Sequence, residues 1–302
     1  MLLRITEKEM KRILASSGFW LSVGLLVILL LTGNAYKDPQ DGTTYTVITA
    51  TLEMSREEMV QHRLDVQTLF NRRISATLSM YGTLLAALSF AGALCEEQKY
   101  GVRRYLVFKE GKIRYACGKA LAAIMASGIS FLLASVLLLV FLVWKYPLWS
   151  EVGLSSLEAD TEHYLEVSGI ALQFLLKTFG EYAYLLLTLA GGCLYSIFCG
   201  CIGFLCTAFF SNVYLAVCIP FFFGYMYYSI MDSIAGRALE GAISWETYGI
   251  LISYISPTGY IDFWRMTESR TVNMLVLLAV WVAAVGVHIL RMHKAADCGV
   301  NA

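Results

Sequence analysis

Six stretches of this 302-residue chain are each long and apolar enough to cross a bilayer, and nothing else constrains the fold as much. They cover residues 17–33, 74–94, 115–144, 181–208, 212–231 and 272–290. A helix needs about 20 mostly apolar residues to span some 30 Å of hydrocarbon, because every backbone polar group must be satisfied within the segment. The runs are helical in length and rich in glycine, whereas a β-barrel would show short alternating strands. The expected fold is therefore an all-α polytopic membrane protein with six transmembrane helices, a single membrane domain over residues 1–302. Composition agrees: 58% of residues are hydrophobic and 15% charged, where a soluble domain carries about 25% charged residues. The formal net charge is zero, so no overall basic field points to nucleic acid.

The segments around these runs set the orientation. Placing the N-terminus inside gives inner segments more than twice the Lys and Arg density of the outer ones, as the positive-inside rule requires. Both chain ends are then cytoplasmic. Residues 34–73 and 145–180 become outer loops, and residues 232–271 become an outer segment between the last two spans. The loop after the third span, "SEVGLSSLEADTEHYLE", holds five acids and no Lys or Arg. Trp144, Tyr146 and Trp149 at its start fit an interfacial aromatic belt. Arg72 and Arg73, just before the second span, run against the rule locally.

Residues 1–16 mix acids with bases and lead into an apolar stretch without a small-x-small cleavage site, so they are not expected to be a cleavable signal peptide. As a helix they gather Leu2, Leu3, Met10, Ile13 and Leu14 on one side, with Arg4, Lys8, Lys11 and Arg12 opposite. That pattern predicts a helix lying in the headgroup layer, the alternative being a solvated leader. The eight cysteines fall inside apolar runs (Cys193, Cys199, Cys201, Cys206, Cys218) or beside basic clusters (Cys95, Cys117, Cys298). They read as reduced apolar fillers rather than a disulfide framework or a metal site.

The run "CEEQKYGVRRYLVFKEGKIRYACGK", residues 95–119, interrupts this apolar chain with a dense block of charge on the inner face. On a helix Glu97, Gly101 and Arg104 share one face, and Leu106, Val107 and Phe108 add an apolar knuckle. Such a rod beneath the bundle suits docking of a soluble partner. A basic loop that only enforces topology is the alternative. The pattern E-x3-G-x2-R after the second span, here Glu97, Gly101 and Arg104, followed by Gly118 and Lys119 in the third, resembles the membrane subunits of type-2 ATP-binding-cassette exporters. The six-span layout, the basic N-terminal helix and the long segment before the last span extend the resemblance over essentially the whole chain.

The resemblance implies a division of labour. A separate cytoplasmic ATPase subunit, in two copies, binds ATP and magnesium, and this chain pairs with a second copy or a paralogue to form the path. Residues 95–114 would be the coupling helix, with Glu96, Glu97, Gly101, Arg103, Arg104, Leu106, Val107, Phe108 and Lys109 facing the ATPase. The segment around "SYISPTGY" would re-enter the membrane, with Trp245, Tyr248, Tyr254, Pro257, Tyr260 and Trp264 lining an exit or touching lipid. A surface-lying amphipathic hairpin is the alternative there. The chain carries no phosphate-binding loop of its own: Gly111 and Gly118 have the wrong spacing, and Ala120 stands where a hydroxyl should hold magnesium.

No catalytic set is expected. Lys177 and Glu181 read as an interfacial pair and Asp232 as a boundary residue, while His288 and His293 are five apart and not stacked for a metal. Pro220 is expected to bend the fifth span. Gly191, Gly192, Ser196, Gly200 and Gly203 recur at three- and four-residue spacing and predict a close helix seam in the fourth span. The expectation is an exporter permease that moves a hydrophobic or amphipathic cargo (a peptide antibiotic, lipid or drug) out of the cytoplasmic membrane of a bacterium. The rivals are a non-pumping immunity or scaffold protein and a motor-less channel.

Overall fold

The computed structural model describes residues 2–38, 42–62, 64–99, 107, 111–148, 181–239, 241, 244 and 269–297. The described chain is mostly helical. In order it contains α1 (Leu2–Leu14), α2 (Ser17–Thr32), β1 (Asn34–Lys37), β2 (Thr44–Thr46), α3 (Val47–Glu53), α4 (Arg56–Gln61), α5 (Val66–Lys99), α6 (Lys112–Lys145), α7 (Glu181–Thr207), α8 (Val213–Leu239) and α9 (Ser269–Asp297). Among the described residues, four helices are long and apolar enough to cross a membrane: α5, α6, α7 and α8. A fifth crossing results if α1 and α2, bent by 63° at their junction, are counted together. Described α9 contributes a shorter apolar stretch, Leu278–Arg291. The multi-pass membrane character read from the apolar runs therefore stands.

Helix ends follow local chemistry. Ser16 caps α2, its hydroxyl accepting from the Phe19 amide. Asp65 caps α5 by accepting from the Thr68 amide at 2.8 Å, and its burial raises its carboxyl above the usual range. Gly111 precedes α6 with φ of 85°, a left-handed turn that a Cβ would strain. Asn212 turns the chain between α7 and α8, accepting from the Tyr214 amide at 2.9 Å through its side chain. Pro220 lies inside α8, and the helix continues on both sides of it.

α5 is the central element, packed on α2, α6, α7 and α8. Lipid tails are as apolar as leucine, so close packing rather than water exclusion must hold these helices together. Small residues make that possible. A Cβ on Gly192 would run into the Phe131 ring, one on Gly200 into the Ser127 hydroxyl, and one on Gly203 would lie 2.9 Å from the Ala87 Cβ. The small-residue stripe of the fourth span is thus the seam of α7 against α5 and α6. Phe19, Phe70, Phe90, Phe131 and Phe204 fill the space between. α8 is much less enclosed, exposing Tyr214, Phe222 and Phe223.

Residues 34–73 are not a plain loop, which corrects the sequence expectation. β1 and β2 pair antiparallel with Tyr36 opposite Tyr45, and the two rings stack at 6.3 Å. α3 and α4 each start on a capping box, Thr46 with Thr49 and Ser55 with Glu58. Hydrogen bonds from Ser55 hold the Glu58 carboxyl below its usual range. This cap is tied to the bundle by Tyr146, whose hydroxyl donates to the Val47 carbonyl at 2.6 Å, and by the Val66 amide donating to Pro147 at 3.2 Å. The all-α expectation missed the hairpin because its strands are only four and three residues long. α5 begins at Val66, eight residues before the expected span, because Asp65 supplies its cap.

Candidate functional site

The charged block does not form a separate rod from its first residue. Glu96 and Glu97 lie on the last turns of α5, which runs unbroken to Lys99, and Lys112 already opens α6. The helical pattern continues past the apolar run because Glu, Gln and Lys are good helix formers. Glu96 is exposed. Glu97 is 6% exposed and points into the bundle, where three elements meet around it.

Its carboxylate is fully engaged. Oε1 accepts from the Arg12 guanidinium of α1, and Oε2 pairs with the Lys119 ammonium of α6. The Tyr115 hydroxyl donates to the same Oε2 at 2.8 Å. Arg12 reaches further, donating to the Ala93 carbonyl at 2.8 Å and pairing with Glu9 at 3.1 Å. The Lys119 ammonium also sits 4.7 Å from the centre of the Tyr115 ring. Two carboxylates and two cations therefore balance at one end of the bundle, linking α1, α5 and α6. Lys119 is 7% exposed and Tyr115 2%. Burial of these charges is tolerable only because each has a partner of opposite sign.

α1 is placed by its own sequence. Ile5, Thr6, Glu9 and Ile13 form its buried face, and Ile5 rests where a Cβ on Gly118 would be. Gly118 is thus the residue that lets α1 approach α6. Arg12, expected on the outward basic side, turns inward to Glu97 instead. The reason is electrostatic: a buried carboxylate on α5 lies within reach, and leaving it unpaired would cost more than desolvating one guanidinium.

Two other cations and a histidine serve helix ends. Arg73, on the first turns of α5, donates to the Leu30 carbonyl at 3.1 Å and the Leu29 carbonyl at 2.9 Å, closing the last turn of α2. That role accounts for a basic residue standing against the local charge rule. Arg291 does the same for α7, donating to the Ala208 carbonyl at 2.7 Å and lying over the Phe209 ring. The His288 ring stacks on Phe204 at 4.0 Å, with Nε2 2.8 Å from the Phe204 carbonyl oxygen. Among the described residues no group of three or more His, Cys, Asp or Glu could hold a metal ion. The described cysteines, Cys95, Cys117, Cys193, Cys199, Cys201, Cys206 and Cys218, are free thiols.

Of the expected coupling residues, Val107 is half-buried against the core. Gly101, Arg103, Arg104, Leu106, Phe108 and Lys109 lie outside the described residues, as do Trp245, Tyr248, Tyr254, Pro257, Tyr260 and Trp264. Sequence reasoning singled out Glu97, Gly118 and Lys119 but missed Glu9, Arg12 and Tyr115 as their partners. Glu9 and Arg12 at three-residue spacing on α1 were the available signal. Neither the known protein families nor the curated proteins contain a match to this chain.

Proposed function

We propose that the chain is the membrane subunit of an ATP-driven exporter in the cytoplasmic membrane of a bacterium. It would make six crossings, the sixth being α9, with both ends in the cytoplasm. A separate ATPase would seat on the segment between α5 and α6. The cluster around Glu97 carries this reading, because it joins the two helices that leave that segment to α1. A push on residues 100–111 would then move α1, α5 and α6 as one body. In the motif E-x3-G-x2-R, Arg104 of that segment follows Glu97 by seven residues, and Leu106, Val107 and Phe108 would offer the ATPase an apolar contact.

Cargo of low polarity suits the apolar helix faces, and the work would come from differential binding of ATPase and cargo to two states of a permease pair. The test uses the chain purified from its native membrane. Arg104→Ala with Phe108→Ala should abolish co-purification of a nucleotide-hydrolysing partner while the permease stays folded. Arg12→Gln should leave the partner bound but uncouple its hydrolysis from cargo movement. Unchanged co-purification and transport in both variants would remove the exporter reading and leave the scaffold or channel.

A further inference from the structure

The structure divides the surface of α1 into three sectors. One is buried against the bundle through Ile5, Thr6, Glu9 and Ile13. A second, about a quarter-turn round, carries Leu3, which is 80% exposed, with Met10 and Leu14 half-buried beside it. The third is a ridge of exposed Arg4, Glu7, Lys8 and Lys11. Glu7 is neutralised within the ridge by Lys11 at 2.6 Å. Neither Arg4 nor Lys8 makes an ion pair among the described residues, so the ridge is net positive.

The depth of this ridge is fixed by the junction with α2. The two helices bend by 63°, so where α2 crosses the bilayer α1 turns toward the membrane plane. Trp20 stands just past the bend, 59% exposed, its indole N–H donating to the Leu14 carbonyl at 3.0 Å. Tryptophan is enriched at the boundary between hydrocarbon and headgroups, and an exposed one at this bend suits that depth. Basic side chains held at that depth, beside an apolar flank that reaches the acyl region, face lipid phosphates.

We propose that the outward face of α1 is a seat for anionic phospholipid headgroups, with Arg4 and Lys8 as the principal phosphate contacts and Lys11 held back by Glu7. The seat uses other side chains than the Glu97 cluster, whose Arg12 lies one turn beyond Lys8 but turns its guanidinium inward to Glu97. It does not depend on the chain being a transporter. It also changes the meaning of the helix's amphipathic pattern, since much of the apolar side binds protein and the basic side meets the lipid.

The full chain, delipidated in a non-ionic detergent, is titrated with dioleoylphosphatidylglycerol or dioleoylphosphatidylcholine, and bound lipids are counted by native mass spectrometry. The anionic lipid should bind more tightly than the zwitterionic one. Each basic residue near a membrane surface contributes about a five-fold gain in affinity, so Arg4→Gln with Lys8→Gln should weaken the anionic lipid about 25-fold and leave the zwitterionic lipid unchanged. Glu7→Gln releases Lys11 and should tighten the anionic lipid by a similar single step. Lys37→Gln, exposed on β1, should change nothing. Excess glycerol phosphate should compete poorly, since it lacks the chains that meet Leu3. Retained affinity in the double variant, no gain in Glu7→Gln, or equal competition by glycerol phosphate would overturn the proposal.

Discussion

Glu97 takes hydrogen bonds or ion pairs from three side chains on two other helices, and this makes it the residue on which the end of the bundle most depends. Removing one partner of a buried pair leaves the other charge uncompensated, which costs about 3–5 kcal/mol. Glu97→Gln should therefore be severely destabilising, because Lys119 stays buried beside the like charge of Arg12 with Glu9 the remaining carboxylate acting on it. Adding Lys119→Met removes that stranded charge, and replacement of a buried pair by apolar groups is often close to neutral. The double variant should recover most of the loss, with Arg12 retaining Glu9 and the Ala93 carbonyl. Unfolding of the three proteins in mixed micelles with increasing SDS checks this. A double variant no more stable than Glu97→Gln would mean that the two charges are not coupled.

At the level of elements, the helices were legible and their company was not. Apolar runs of about 20 residues state their own existence, because they are too long and too uniformly apolar for barrel strands and so satisfy their backbone in lipid as helices. The glycine and serine stripe of α7 likewise announced a seam, since close approach needs small side chains at that spacing. What the runs could not show is where a helix stops once charged residues continue it, as α5 does through Glu97 to Lys99. Nor could they reveal that Arg12 would leave its own basic face for a carboxylate 85 residues away. Both depend on tertiary neighbours that no local pattern encodes. The cap over residues 34–65 was half legible: Ser55 and Glu58 spell a capping box, while strands this short give too little alternation to read.

The seam makes a prediction of its own at this scale. Gly203→Val would drive a side chain into Ala87 and the Phe90 ring, and overpacking of this kind costs roughly 1–3 kcal/mol. Gly24 has nothing within 4 Å of the Cβ it would gain. Gly24→Ala should stabilise α2 by up to about 1 kcal/mol through helix propensity alone. The same micelle unfolding assay separates them, and it should move in opposite directions for the two variants. Loss of stability in both would show that α2 needs the flexibility of Gly24 rather than merely tolerating it.

For the whole molecule, α2 is the decisive helix because it separates the basic ridge of α1 from the hairpin. α1 and its basic ridge lie at one end of it, and the hairpin with Lys37 lies at the other. α2 itself has 16 residues, about 24 Å at 1.5 Å per residue, shorter than the hydrocarbon thickness. The shortfall is met at both ends: Trp20 sits close to the bend with α1, and Arg73 satisfies the Leu29 and Leu30 carbonyls at the hairpin end. A helix so completed should cross. In a cysteine-free background, Lys8→Cys and Lys37→Cys should therefore react with a membrane-impermeant maleimide from opposite sides of sealed vesicles. In the proposed orientation the Lys8 side faces the cytoplasm, so intact cells should be labelled at position 37 and protected at position 8. Labelling of both positions in intact cells would mean that α1 and α2 form a re-entrant pair on one face. The cluster at Glu97 would then lie on the outer surface, beyond the reach of any cytoplasmic ATPase.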